Sequence, residues 1–311
     1  MVLKTAIIIS IILCILLLIA FINHRIKTKN EAVLRTPLGQ LVEIDEKNMC
    51  VYTEGEGKST IVFLSGGGTA SPILDFKSLY SQLTDEYKIA VVEKFGYGFS
   101  DDYDRNRNID AILEDTRAAL TKAGLQAPYI LCPHSMSGLE AIYWSQKYPD
   151  EVAAIVGLDM AVPQYYSDMN FSTSVLKFNQ ILCEMGLVRL ASDSYINTIY
   201  SYSALNENEK NIIKALYSKR CVSNAFVNEA SSCKENAEIV SEGGVPQVPV
   251  LMFISNAEGI NLDKTIWIDT AKNYAEQLEN VKCVELDCPH YVHDYEYERI
   301  AEEMKSFLNS D

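Results

Sequence analysis

The first hydrophobic feature of the chain is its longest. Residues 5–22 (TAIIISIILCILLLIAFI) are eighteen positions without a charge, glycine or proline. As a helix at ~1.5 Å per residue they would cover ~27 Å, close to the ~30 Å hydrocarbon core of a bilayer. The run carries neither a polar stripe nor capping residues, so it reads as a membrane helix or uncleaved signal anchor rather than a buried core helix. A cleaved signal peptide is the weaker alternative, because Ala20 is followed by Phe21, Ile22 and Asn23 with no small-x-small site.

After a polar tether at 30–40 the pattern changes to short apolar runs separated by helical periodicity. LVEIDEKNMCVYTEGEG (41–57) holds two strand-like runs. TIVFLS (60–65) and YKIAVVE (87–93) are continuous enough to be strands buried on both faces. YILC (129–132), VAAIVGLD (152–159), VPVLMFIS (248–255) and VKCVELD (281–287) are further strands, with helical patterns near 75–85 and at 108–124, 137–148, 263–279 and 295–308. This alternation predicts an α/β fold: a mostly parallel, twisted sheet flanked by helices. Residues 160–246 break the rhythm with a polar, Tyr- and Ser-rich, mostly helical stretch, in which Asn206-Glu-Asn-Glu reads as a capping box. The expected organisation is an anchor and tether at 1–35, a core at 36–159 and 247–311, and an inserted helical cap at 160–246, over the strand ends where ligands of parallel sheets bind.

Charge sharpens the division between head and body. Residues 1–35 hold Lys4, Arg25, Lys27, Lys29 and Arg35 against one acid, Glu31. Removing those five and that one from the chain's 27 basic and 42 acidic residues leaves 22 and 41, a net of −19 for the body. Such a body is not built to bind nucleic acid, which needs clustered Lys and Arg. Lys and Arg on the downstream flank of the apolar run lean toward a cytoplasmic body. Seven cysteines outside that run, an odd number without Cys-x-x-Cys, suggest reduced thiols rather than a disulfide or zinc framework.

The chemistry concentrates in YILCPHSMSGLEAIYWSQKYPDEVAAIVGLD (129–159), which runs strand, tight turn, helix. Ser135 stands at the turn, where a strained elbow would project its hydroxyl above the sheet. Met136, the next residue, can offer its N–H to an oxyanion at the helix start. A serine hydroxyl needs a base. Of the four histidines, His24 is beside the apolar run, His134 belongs to the elbow, and His290 and His293 follow the last strand. The segment resembles the G-H-S-M-G-G elbow of α/β-hydrolases. SGGGT (65–69) resembles their oxyanion loop, EKFGYGFSD (93–101) their D-x-R-G-x-G-x-S-D loop, and CPHYVHDYEYERIAEEMKSFL (288–308) their C-terminal G-x-H-x-x-x-x-E…F-L block. Pro133 and Ser137 replace the usual elbow glycines, and Ser65 the usual histidine of the oxyanion loop.

The resemblance implies Ser135 as nucleophile, His290 as base in preference to His293, and the N–H groups of Gly67, Gly68 and Met136 as the oxyanion hole. For the acid it leaves two positions open: Asp159 at the end of VAAIVGLD, which is preferred, and Glu258 after VPVLMFIS, with Asp263 a third. No metal-ligand spacing, phosphate loop or dinucleotide fingerprint is present, and the chemistry needs no cofactor. Glu93 and Asp101 read as structural loop carboxylates and Cys132 as a buried strand residue. The expectation is a membrane-anchored serine hydrolase acting through an acyl-enzyme on a small-to-medium apolar ester, carboxylesterase- or lipase-like. A proline-iminopeptidase-like aminopeptidase is the alternative enzyme, and a membrane-tethered binding protein that keeps the fold without turnover is the alternative of another class.

Overall fold

A computed structural model describes residues 2–167, 171–260 and 262–309. The chain begins with α1 (Val2–Asn30), continues through a 3-10 turn at Glu31–Arg35, and enters β1 (Gln40–Ile44) and β2 (Lys47–Glu54). The core then alternates: β3 (Thr60–Leu64), the short α2 (Pro72–Asp75) and α3 (Lys77–Tyr80), β4 (Lys88–Glu93), α4 (Ile109–Lys122), β5 (Tyr129–Pro133), α5 (Gly138–Lys147) and β6 (Val152–Leu158). Four helices follow before the next strand: α6 (Thr173–Glu184), α7 (Ser192–Ile199), α8 (Glu207–Lys219) and α9 (Asn224–Glu242). The core closes with β7 (Val250–Ile254), α10 (Lys264–Ala275), β8 (Val281–Glu285), α11 (Val292–Tyr295) and α12 (Tyr297–Leu308).

The eight strands form one sheet in the order β1-β2-β4-β3-β5-β6-β7-β8. β1 and β2 pair antiparallel and β2 joins β4 antiparallel, while β4, β3, β5, β6, β7 and β8 are parallel throughout. This is the mostly parallel sheet expected from the alternating pattern. The continuous apolar runs are explained by two-sided burial. In β3 and β4, Val62, Leu64, Ala90 and Val92 enter the core on one face, and Ile61, Phe63, Ile89 and Val91 the core on the other. Edge strand β8 has a single buried position, Val284, and its other residues meet solvent.

The helical stretch between β6 and β7 has its own apolar cluster. Ile196, Tyr200, Leu205, Ile212, Ile213 and Leu216 pack with Leu74 of α2, which fastens it to the core. Asn206 starts α8 with the full reciprocal capping box: its side chain accepts from Glu209 N–H, and the Glu209 carboxylate accepts from Asn206 N–H. One expectation changes in detail: the helical pattern near 75–85 is two short helices, with Phe76 linking them. At the end of α1 and just beyond it, Thr28 and Glu31 hold the Arg189 guanidinium at 2.7–3.1 Å, and Arg35 donates to Thr28 O at 2.7 Å.

Candidate active site

The parallel strands end together, and the sequence makes two of those ends unusual. Ser135 has φ +51° and Asp159 φ +46°. A left-handed backbone at a non-glycine residue is strained, and such strain gathers at functional turns. Ser135 follows β5 and Asp159 follows β6, neighbouring strands of the sheet. The two turns are tied together: Ala161 N–H donates to Ser135 O at 2.7 Å. That approach is so close that a Cβ on Gly138 would lie 2.0 Å from Ala161 O, so the first turn of α5 needs glycine there. Pro133 is tolerated because it is the last residue of β5, where the next ladder bond comes from His134 N–H to Leu64 O at 2.9 Å.

Of the two open acid positions, Asp159 is the one beside the histidine. His290 Nδ1 lies 2.5 Å from Asp159 Oδ2. The carboxylate is buried and fully engaged: Ser255 donates from its N–H (2.9 Å) and hydroxyl (2.7 Å), and Trp267 from its indole N–H (3.0 Å). These donors hold the Asp159 carboxylate in one orientation toward the His290 ring. The Trp267 ring meets His290 edge-on at 5.4 Å, and Tyr165 stacks on Trp267 at 4.0 Å. Glu258 instead carries an exposed side chain paired with Lys264 at 3.3 Å, and meets His290 only through its backbone, Glu258 O accepting His290 N–H at 2.9 Å. Asp263 caps α10, accepting from Thr265 and Ile266 N–H.

The loop after β3 lies against the elbow. A Cβ on Gly66 would meet Ser135 Cβ at 2.9 Å, and one on Gly67 would meet the Met136 methyl at 2.7 Å. Among the described residues, no hydrogen-bond acceptor takes the Gly67 or Met136 N–H. The Gly68 N–H, by contrast, donates to Tyr97 Oη at 3.2 Å. So Gly67 and Met136 have free donors beside Ser135, and Gly68 does not. Ser137 turns its departure from glycine to use, donating its hydroxyl to Ser65 O and so linking elbow to loop.

Behind the elbow sits a charged network that the sequence did not announce. Lys94 Nζ, buried, lies 2.6 Å from Glu229 of α9, 3.8 Å from Glu140 of α5 and 3.4 Å from Ser137 Oγ. Tyr97 donates to Glu229 at 2.8 Å. Burial works to raise the Glu229 carboxyl, but Lys94 and Arg107 outweigh it and hold it below its ordinary value. Glu93 and Asp101 serve the loop: Glu93 accepts Phe99 N–H at 2.6 Å and Asp101 accepts Asn48 N–H at 2.8 Å. Cys132 is buried in β5, and burial drives its thiol far up.

His293 lies wholly buried in α11 with Nε2 3.2 Å from Asp75 Oδ2. Asp75, His134 and His293 bring three ligand-type atoms within 4.8 Å of one another. All three groups already have partners: His293 and Asp75 each other, and His134 Nε2 the carbonyl of His290 at 3.2 Å. Burial, then His290 and His293, holds His134 well below the usual imidazole range, so it stays neutral.

No protein-family model matches the chain. The uncharacterized protein YbdG of Bacillus subtilis is 35% identical over 295 residues, covering 93% of this chain and 91% of YbdG. Among solved structures, Cfl2 from Burkholderia cenocepacia aligns with a TM-score of 0.68 at 16% identity, over 87% of this chain and 95% of its own. The enol-lactonase from Burkholderia xenovorans LB400 aligns with a TM-score of 0.63 at 14% identity, over 87% and 100%. Identity to YbdG across almost the whole length makes the chain a member of YbdG's family, and the likeness to these solved structures shows that its fold is that of the α/β-hydrolases.

Proposed function

We propose that the protein is a membrane-anchored serine hydrolase that cleaves esters through an acyl-enzyme. One observation carries the reading: the Asp159–His290 hydrogen bond of 2.5 Å, next to a serine held at φ +51°. In this reading Ser135 Oγ attacks the ester carbonyl while His290 Nε2 takes its proton. The Nδ1–H of the resulting imidazolium donates to Asp159. The Gly67 and Met136 N–H groups receive the oxyanion of the tetrahedral intermediate. Collapse expels the alcohol with the proton from His290, and a water activated by the same imidazole then releases the acid. Gly68 was grouped with these donors on resemblance; its N–H bond to Tyr97 argues for a supporting role in the loop.

The helices at 160–246 act here as a cap. Phe226 of α9 supports this, because a Cβ on Gly67 would meet its ring at 3.0 Å. An apolar ester suits a site walled by Met136, Phe226 and Trp267. α1 anchors the enzyme: by length and composition it can cross a membrane. The flanking Arg25, Lys27 and Lys29 favour a cytoplasmic body.

A fluorophosphonate probe tests the reading on the full-length protein in membranes. The wild type labels and Ser135→Ala does not. An unlabelled wild type that still folds would favour a binding protein. A panel of p-nitrophenyl esters beside aminoacyl amides separates the esterase from the aminopeptidase, and carbonate extraction tests the anchor.

A further inference from the structure

Outside α1, large apolar side chains in water are concentrated around one helix. Phe171, Val175, Phe178 and Ile181 are 38–58% exposed and recur at helical spacing along one flank of α6 and its approach. Leu190, 88% exposed, follows in the next turn. A row of this kind needs an apolar phase to cover it.

The joint with α1 says which phase. Just after α6 the chain turns at Gly186, where a Cβ would lie 2.3 Å from His24 Cβ. Arg189 Nε then donates to His24 Nδ1 at 2.9 Å. His24 is buried by this contact. It stands two residues past Ile22, the end of the apolar run, which is ~3 Å along the helix axis. The contact therefore sits at the level where a spanning helix leaves the hydrocarbon. Arg25, Lys27 and Lys29 on α1 and Lys177 on α6 add cations suited to phosphate headgroups.

The inner side of α6 leads toward the site. Cys183 is buried there and accepts the Cys221 N–H at 3.1 Å. Cys221 borders a narrow cleft that reaches Gly68, Tyr97 and Phe226. We propose that the apolar flank of α6, with Leu190, docks on the bilayer surface, and that the substrate is an ester of a bilayer-dissolved amphiphile entering beside α6. This rests on the reading of α1 as a membrane helix and of the site as a hydrolase.

The test uses the full chain in nanodiscs of phosphatidylcholine with brominated acyl chains, which quench tryptophan on contact. Native Trp144 and Trp267 are buried and give the baseline. Ile12→Trp reports the anchor, Phe178→Trp and Leu190→Trp the docking face, and Gln126→Trp, before β5 at the opposite end of the strands, is the control. The expected result is about twofold quenching of the added emission at positions 12, 178 and 190 and none at 126. Quenching at 12 alone overturns docking and leaves the anchor. No quenching at 12 removes the anchor and the inference with it. A blue shift without quenching at 178 points to a second copy of the chain and overturns the lipid as occupant.

Activity gives an independent arm. The Phe178→Glu/Ile181→Glu variant should lose about tenfold on p-nitrophenyl palmitate in vesicles and stay within about twofold on soluble p-nitrophenyl acetate. Equal loss on both, or no loss on either, overturns the substrate class. A wild type inactive on both esters overturns the hydrolase reading while the quenching result stands.

Discussion

Two histidines within one helical turn of sequence, His290 and His293, each pair with an aspartate from a distant segment. His290 and Asp159 approach to 2.5 Å, with side chains 12% and 1% exposed. His293 and Asp75 stand 3.2 Å apart and neither side chain is exposed. The first pair is partly open to solvent, and the turn that carries Asp159 is tied to that of the strained Ser135 by the Ala161 N–H bond to Ser135 O. The second is sealed: His293 packs on Phe76 at 4.8 Å and His134 at 4.7 Å, and Tyr200 donates its hydroxyl to Asp75 at 3.0 Å. It joins α2, α11 and the inserted helices. Nearby Asp294 is pushed well above the carboxylate range by burial and then by Asp75. A His–Asp contact is thus common to both; solvent access separates them, and in the proposed reading so does the serine nucleophile.

The largest expected effect is on the open pair. Asp159→Asn should cut turnover of a soluble ester by about 10⁴ with the unfolding midpoint little changed, and Ser135→Ala should cut it at least as far. In the sealed pair the consequences reverse. Asp75→Ala strands buried polar groups and should cost about 3–5 kcal/mol in urea unfolding. The folded fraction should still label with fluorophosphonate at a rate within tenfold of wild type. A labelling loss as deep as that of Asp159→Asn would erase the distinction.

Glu93 shows burial without a cationic partner in hydrogen-bond contact. Burial raises its carboxyl to about 8, against the pull of the Phe99 and Ile73 N–H groups, from an ordinary 4.5. Between those values the folded state keeps a proton that the unfolded state has lost. Its contribution to stability should therefore fall as pH climbs through the window and level off above it. Melting temperature against pH, wild type beside Glu93→Gln, checks this: the variant should have the shallower decline. The smallest effect is at Ser137→Gly, which removes the hydroxyl bond to Ser65 O. It should cost about 1 kcal/mol and slow acylation a few-fold, read by burst kinetics.

What was legible in the sequence was local. The strands of the parallel sheet, the capping box at Asn206 and the motifs around Ser135 and His290 each lie within a few residues of one another. Asp159 and Glu258 could not be separated that way, because both follow strands, and the strand next to β8 is β7, the one before Glu258; the path of the loops, which the pattern does not show, brings Asp159 to His290 instead. Ser255 and Trp267, which hold Asp159, gave no signal: a serine ending a strand and a tryptophan in a helix have ordinary reasons to be there. The Lys94–Glu229 contact and the sealed His293–Asp75 pair join segments far apart in sequence. The helix that holds His293 gave no signal either, because periodicity does not resolve a four-residue helix such as α11.

The Arg189 joint has a practical consequence for handling the protein. Its guanidinium, 9% exposed, spends its donors on His24, Thr28 and Glu31, all within the first thirty-five residues. Trimming the chain at residue 36 to remove the apolar helix would leave that cation without all three partners and uncover the face of Gly186. A gentler trim that keeps residues 23–35 and deletes only the apolar run preserves the joint, and is the version to purify.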